Sequence, residues 1–124
     1  MIQFLTLEEI LAIHESVIER FGGQPEIRDY GLLLSALYRP QTGYYNDLAE
    51  MGAALFESLI IIHPFIDGNK RVAFFGTDVF FRLNGYQFKV KPNDTYQFLV
   101  ELIQSQTCDF DHLLPWVRKF IVSI

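Results

Sequence analysis

A short polar stretch separates two apolar segments in the middle of the chain. Residues 60–75 read IIIHPFIDGNKRVAFF. If one helix ends near His63 and the next begins near Asn69, the unpaired N–H groups and partial positive charge of the second helix face the turn. Lys70 and Arg71 add positive charge in its first turn, where the helix dipole disfavours cations unless an anion is bound. The stretch therefore predicts a phosphate-binding site.

The other polar residues of this stretch supply the remaining parts of a phosphoryl- or nucleotidyl-transfer site. Gly68 lets the backbone approach a ligand closely, and Asn69 can cap the helix or donate its amide to the anion. Asp67 is an acceptor that suits Mg²⁺, which prefers carboxylate and phosphate oxygens. His63 can take a proton from a hydroxyl that attacks the phosphate, because imidazole exchanges protons near neutral pH.

Two simpler interpretations apply to the same residues. A histidine before proline is most often a turn residue, and Asp-Gly-Asn is a common loop sequence, so each residue alone indicates little. A metal-hydrolase site on His63 and Asp67 is the weaker interpretation, because Pro64 and Gly68 prevent the helical i, i+4 presentation of two ligands. The combination of base, carboxylate and anion site favours group transfer.

The composition of the chain indicates a globular protein without general affinity for nucleic acid. The 124 residues, 50% of them hydrophobic, suffice for one core, so we expect a single domain over residues 1–124. The formal charge of −5 argues against binding nucleic acid or anionic membranes. Apolar runs such as residues 59–62 are far shorter than the roughly 20 residues that span a bilayer. With Cys108 as the single cysteine and no signal-peptide pattern, we expect a cytoplasmic protein.

Helical patterns cover most of the chain and predict an all-α bundle of about six helices. The first expected helix starts at Leu7 and is stopped by Gly22 and Gly23. The others run from Tyr30 to Tyr38, Asp47 to Ile62, Asn69 to Asn84, Asp94 to about Ser105 and Asp109 to Val122. Thr6 and Glu9 have capping-box spacing before the first helix. Residues 39–47 predict an exposed loop or small hairpin. YQFKVK, residues 86–91, alternates like a strand but has no evident partner, so we expect an extended connector.

The polar stretch resembles the signature of the Fic/Doc superfamily. That signature, His-Pro-Phe-x-Asp/Glu-Gly-Asn-x-Arg, is met at every specified position by HPFIDGNKR, residues 63–71. The segments IHESVIERFGG and IRDYGLLLSALYRPQ are similar to the N-terminal half of the Doc (death-on-curing) branch, and the length is also Doc-like. The resemblance covers essentially the whole chain. It implies an α-helical fold that transfers a phosphate-containing group from a nucleotide to a protein hydroxyl.

The resemblance assigns roles by position. It implies that His63 is the general base and that Asp67 holds Mg²⁺. The residues expected against the nucleotide phosphates are Gly68, Asn69, Lys70 and Arg71. Residues 39–47 correspond to the family's flap, which docks the target by strand-like pairing, although an ordinary exposed loop fits the same sequence. The docking candidates in the flap are Arg39, Thr42, Tyr44 and Tyr45.

Lys70 is where the sequence departs from the AMP-transferring Fic pattern. Those enzymes usually carry Gly there and a second Arg three residues after the first, where this chain has Lys70 and Phe74. In the Doc branch, a similar Lys goes with a reversed nucleotide, so that the γ-phosphate is transferred. A long cationic side chain fills space that Gly would leave for the outer phosphates. The resemblance thus favours an ATP-dependent kinase of a Ser/Thr hydroxyl, with AMP transfer as the alternative.

The resemblance also implies the partners. Self-inhibited Fic proteins carry a Ser/Thr-x-x-x-Glu-Gly/Asn helix whose Glu pairs with the second Arg, and this sequence contains neither element. Restraint is therefore expected from a separate antitoxin, whose tail would fold as a helix into a groove of the toxin. The implied target is elongation factor Tu, with arrested translation as the consequence. A catalytically silent binding protein with the same fold is the rival of a different class.

Overall fold

The computed structural model describes residues 1–124, apart from the side chain of Pro92. The α-helices are α1 (Leu7–Phe21), α2 (Tyr30–Tyr38), α3 (Leu48–Ile61), α4 (Asn69–Leu83), α5 (Pro92–Gln104) and α6 (Phe110–Phe120). A 3-10 helix covers Arg39–Gln41, and the strands are β1 (Tyr86–Phe88) and β2 (Ile121–Ser123). The predicted all-α architecture is confirmed.

Helix starts follow local capping chemistry. At α1, Thr6 Oγ1 accepts the Glu9 N–H and Glu9 Oε1 accepts the Thr6 N–H, so the predicted capping box is confirmed. Asp47 is the N-cap of α3, and its side chain accepts the Glu50 N–H. The predicted start of α5 at Asp94 is wrong, because the helix begins at Pro92, and proline suits the first helical position, where its missing N–H leaves no bond unmade.

The central helix α3 packs against α4 and α6. Most of its residues from Ala49 to Ile60 are buried, as its nearly continuous apolar sequence predicts. The two helices α3 and α4 meet at Gly52, where an added Cβ would lie 2.1 Å from Cζ of Phe81. In the described part of the chain, no helix has both the length and the apolarity that a membrane crossing requires.

We expect Gly52→Ala to destabilise the fold by about 1–3 kcal/mol. Alanine favours a helix over glycine by roughly 1 kcal/mol. Phe81 is 0% exposed, so its ring cannot move away from the new methyl group, and the steric cost outweighs this gain. Urea unfolding would measure the change, with Gly31→Ala in α2 as the control, since that position is exposed and only the flexible Asp29 carboxylate approaches within 4 Å. Equal midpoints for the two variants would contradict the prediction.

The two strands correct two expectations. YQFKVK has a partner, since β1 pairs with β2 in antiparallel register, Phe88 opposite Ile121 and Tyr86 opposite Ser123. The last helix therefore ends at Phe120 and not at Val122, because Ile121 and the residue after it are β-branched and pair as a strand. The pairing places Phe88, 7% exposed, in the core.

The predicted flap is an irregular segment. Residues 39–41 form the 3-10 helix, and bends and coil follow up to Asp47. Within the described residues this segment contains no strand, so the loop expectation is confirmed and the hairpin is not formed.

Candidate active site

The turn between α3 and α4 is closed by reciprocal hydrogen bonds. Asn69 Oδ1 accepts the Phe65 N–H at 3.1 Å, and Asn69 Nδ2 donates to the Phe65 carbonyl at 2.9 Å. Phe65, 1% exposed, anchors the turn in the core. The Asn69 side chain thus shapes the turn, while the α4 N-cap is Gly68, whose φ of 84° is left-handed.

His14, on α1, contacts two residues of the turn. Its ring stacks on Phe65 with a centroid separation of 3.8 Å, and Nε2 lies 3.0 Å from the carbonyl oxygen of Asp67. Burial lowers the pKa of His14, against the opposing effect of the Asp67 carbonyl and carboxylate. A neutral imidazole with its proton on Nε2 therefore donates to that carbonyl, and His14 is a packed residue with a structural contact to the polar turn.

We expect a pH dependence of stability that originates at His14. The folded state keeps this imidazole neutral, whereas the unfolded chain takes up a proton as the pH falls through the ordinary histidine value of 6.5. The contribution is therefore fully present above that pH and is lost as the pH decreases below it. Unfolding midpoints in urea on both sides of this value would show the trend. His14→Gln should flatten it, and an unchanged pH profile in that variant would contradict the assignment.

A cavity of about 300 Å³ opens over this turn. Its lining residues are His63, Ile66, Asp67, Gly68, Asn69, Lys70, Arg71 and Tyr96. The predicted base, carboxylate and cations therefore meet at one place. Residues 68–71 line the cavity, and within the described residues no side chain caps the start of α4, so no side chain accepts its first N–H groups. Together with Lys70 and Arg71 they give this cavity a positive character in a chain of net charge −5.

Asp67 meets the requirements of a magnesium ligand. Its Oδ2 accepts the Gln24 N–H at 2.8 Å, which fixes the carboxylate at the cavity wall. Among the described residues no group of three or more His, Cys, Asp or Glu could hold a metal by itself. Mg²⁺ commonly uses one or two carboxylates together with substrate phosphates and water, so a single carboxylate beside an anion site fits this ion.

A second, more apolar cavity of about 230 Å³ adjoins the first. Lys70, Arg71 and Tyr96 line both cavities, and Phe21 and Phe75 are among the apolar residues of the second. The Arg71 guanidinium lies 4.1 Å from the centre of the Phe21 ring, a cation–π contact that fixes it between the two cavities. Tyr96 was not among the predicted site residues, because it lies on α5, outside the motif, and only the tertiary structure brings it to the site.

The root of the flap is held in place by Arg39. Its guanidinium contacts the Glu57 carboxylate at 2.5 Å, the Tyr45 hydroxyl at 2.7 Å and the Ser58 hydroxyl at 3.0 Å. Burial alone would lower the pKa of Arg39, but the hydrogen bonds to Glu57 and Tyr45 outweigh it and raise the pKa. Glu57 also accepts the Phe110 N–H at the start of α6, so one carboxylate joins the flap to two helices.

The tip of the flap, at Thr42 and Tyr44, is more exposed than its root, at Arg39 and Tyr45. Tyr44 is 81% exposed, and Thr42 is also exposed, with its hydroxyl donating to the Arg39 carbonyl. Among the residues that the structure describes, none from the flap lines the cavity at His63. Of the four predicted docking residues, Thr42 and Tyr44 are available to a partner at the tip, and Arg39 and Tyr45 are engaged with each other.

Comparison with known proteins agrees with the motif. The Fic/DOC family matches residues 4–81, which include the whole turn. A protein named Toxin Doc, from Mycolicibacterium smegmatis, is 34% identical over 129 aligned positions that cover 99% of this chain and 97% of the relative. Protein kinase doc of Escherichia phage P1 is 34% identical over 89 positions, which cover 68% of this chain and 71% of that protein. The chain belongs to the Fic/DOC family and, within it, to the Doc branch.

Proposed function

We propose that this protein is a Doc-type toxin that transfers the γ-phosphate of ATP to a Ser/Thr hydroxyl of a protein. The observation that carries the proposal is that His63, Asp67, Lys70 and Arg71 line one cavity at the uncapped start of α4. In the proposed complex, His63 faces the target hydroxyl, and the cations and N–H groups of α4 face the phosphates. The names of the two relatives, one a toxin and the other a protein kinase, support this proposal.

The proposed reaction needs few groups from the protein. The hydroxyl oxygen of the target bonds to the γ-phosphorus, and the bond from that phosphorus to the β–γ bridging oxygen breaks, which releases ADP. His63 accepts the hydroxyl proton. Lys70, Arg71 and the first N–H groups of α4, including those of Gly68 and Asn69, offset the negative charge of the phosphates. Asp67 would hold Mg²⁺, which neutralises charge on the phosphate oxygens when bound.

The resemblance to the Doc branch also indicates a target, a cellular compartment and an antitoxin. We propose elongation factor Tu as the target, the cytoplasm as the compartment and a separate antitoxin as the restraint. Residues 1–124 would act as one domain, in keeping with the cluster of buried apolar side chains that the described residues form. The target segment would dock along the exposed flap tip at Thr42 and Tyr44, and Arg39 and Tyr45 would hold the root of that docking surface.

ATP labelled at one phosphate at a time tests the proposal. The toxin, freed of antitoxin, is incubated with elongation factor Tu and ATP carrying label at either the γ- or the α-phosphate. Target labelled from the γ-position alone is the expected result. Label from the α-position alone would replace the kinase with an AMP transferase. A chain that transfers neither label to any cytosolic protein and does not slow growth when expressed would be a silent binding protein.

A further inference from the structure

We propose that Arg28 is a positioning residue for the base His63, an inference that rests on the proposed function. Arg28 precedes α2 and lies outside the motif. Its Nε donates to the His63 carbonyl at 2.6 Å, and its Nη2 donates to the Ile62 carbonyl at 2.5 Å. One guanidinium thus binds two successive carbonyls at the end of α3, immediately before the reactive turn.

The backbone of His63 has a conformation that needs restraint by neighbouring contacts. Its φ is 52°, in the left-handed region that residues with a Cβ adopt rarely. Such conformations persist when surrounding contacts determine them, and they concentrate at functional sites. The last turn of α3 contains no basic residue that could bind the carbonyls at its end. Arg28, from the segment before α2, binds the carbonyls of residues 62 and 63.

The backbone around Arg28 docks on the turn independently of the guanidinium. The Arg28 and Asp29 N–H groups both donate to the Pro64 carbonyl, at 2.8 and 3.1 Å. Ile27 forms a bridge with Phe65 in antiparallel sense. Removing the Arg28 side chain therefore leaves the connecting segment on the turn. The specific loss is the restraint on the carbonyls at and before the base.

The expected kinetic effect separates positioning from binding. Arg28 is not among the residues that line the cavity, and its contacts are carbonyl groups that do not react. The nucleotide-binding groups Lys70 and Arg71 lie beyond the turn, on α4. Arg28→Ala should therefore lower kcat about 10- to 100-fold, because a misplaced base is reached less often in reactive geometry. The KM for ATP should stay within about twofold, because the phosphate contacts are unchanged.

Two further variants sharpen the test. Arg28→Lys keeps the charge but not the two-pronged guanidinium, so it should restore only part of kcat, whereas a purely electrostatic role predicts full restoration. Arg82→Ala is the matched control, since Arg82 is an exposed arginine at the other end of α4 that pairs with Asp78. Its kcat should equal that of the wild type.

A readout without turnover keeps this inference distinct from the proposed function. NMR of the imidazole signals of the three histidines should show a shifted or broadened His63 signal in Arg28→Ala, with that of the exposed His112 unchanged. If the wild-type protein transfers no γ-phosphate, the proposed function is overturned. If the His63 signal still changes in Arg28→Ala, the positioning role is retained. Normal kcat in Arg28→Ala, a rise in KM alone, or an unchanged His63 signal would overturn the role of Arg28.

Discussion

His63→Ala should reduce phosphoryl transfer by about 10²- to 10⁴-fold, the range that positioned general bases contribute. Growth arrest on expression without antitoxin should be relieved to the same extent. The fold should survive, because the His63 side chain is exposed and makes no hydrogen bond among those that the structure describes. Label transfer from γ-labelled ATP, together with the urea midpoint, would measure both effects.

The control for this prediction is another exposed histidine. His112 lies in the first turn of α6, where it contacts the N-cap Asp109, away from the cavity lining. His112→Ala should retain transfer and toxicity. A His63→Ala protein that transfers phosphate at the wild-type rate would exclude His63 as the base, whatever the activity of the His112 variant.

Lys70→Ala should lower kcat/KM for γ-transfer by about 10- to 100-fold, since hydrogen bonds to charged groups contribute roughly 1.5–3 kcal/mol. Lys70 is exposed and lines both cavities, so its loss removes positive charge from the phosphate region without opening the core. Steady-state kinetics with γ-labelled ATP would give the change. Stability should hardly move, because alanine is a good helix former in the first turn of α4.

Lys89→Ala and Lys70→Gly complete the comparison. Lys89 is an exposed lysine after β1 and should be dispensable for transfer. Lys70→Gly introduces the residue of the AMP-transferring Fic pattern, and transfer from both labels should be measured in it. Retention of full γ-transfer by Lys70→Ala would exclude a role of Lys70 in binding the transferred phosphate.

Local chemistry was enough to predict most helices. Capping at Thr6 and Asp47 involves residues three positions apart, so the sequence alone contains the information. The same holds for the left-handed glycine at position 85, which follows α4 with a φ of 86°. The turn between α3 and α4 was predictable for a similar reason, because most of the residues that line its cavity are neighbours in the motif.

Long-range contacts were not predictable in this way. The partner of β1 lies more than thirty residues later, where the apolar residues after α6 continue a helical pattern as well as they fit a strand. The contacts of Arg28 with the turn and of Tyr96 with the cavity also join distant parts of the chain. Periodicity contains no information on such pairs, and they determine how the site is held.

The strip of hydrogen bonds between residues 24–29 and the turn has a consequence for motion. The Gln24 N–H donates to the Asp67 carboxylate, and the Arg28 N–H donates to the Pro64 carbonyl. In the opposite direction, the Ile66 N–H donates to the Glu26 carbonyl. Hydrogen bonds between two adjacent segments break together when the segments separate, so we expect the strip to open as one cooperative unit. Its opening would release the Asp67 carboxylate and the Pro64 carbonyl from residues 24–29 in the same event.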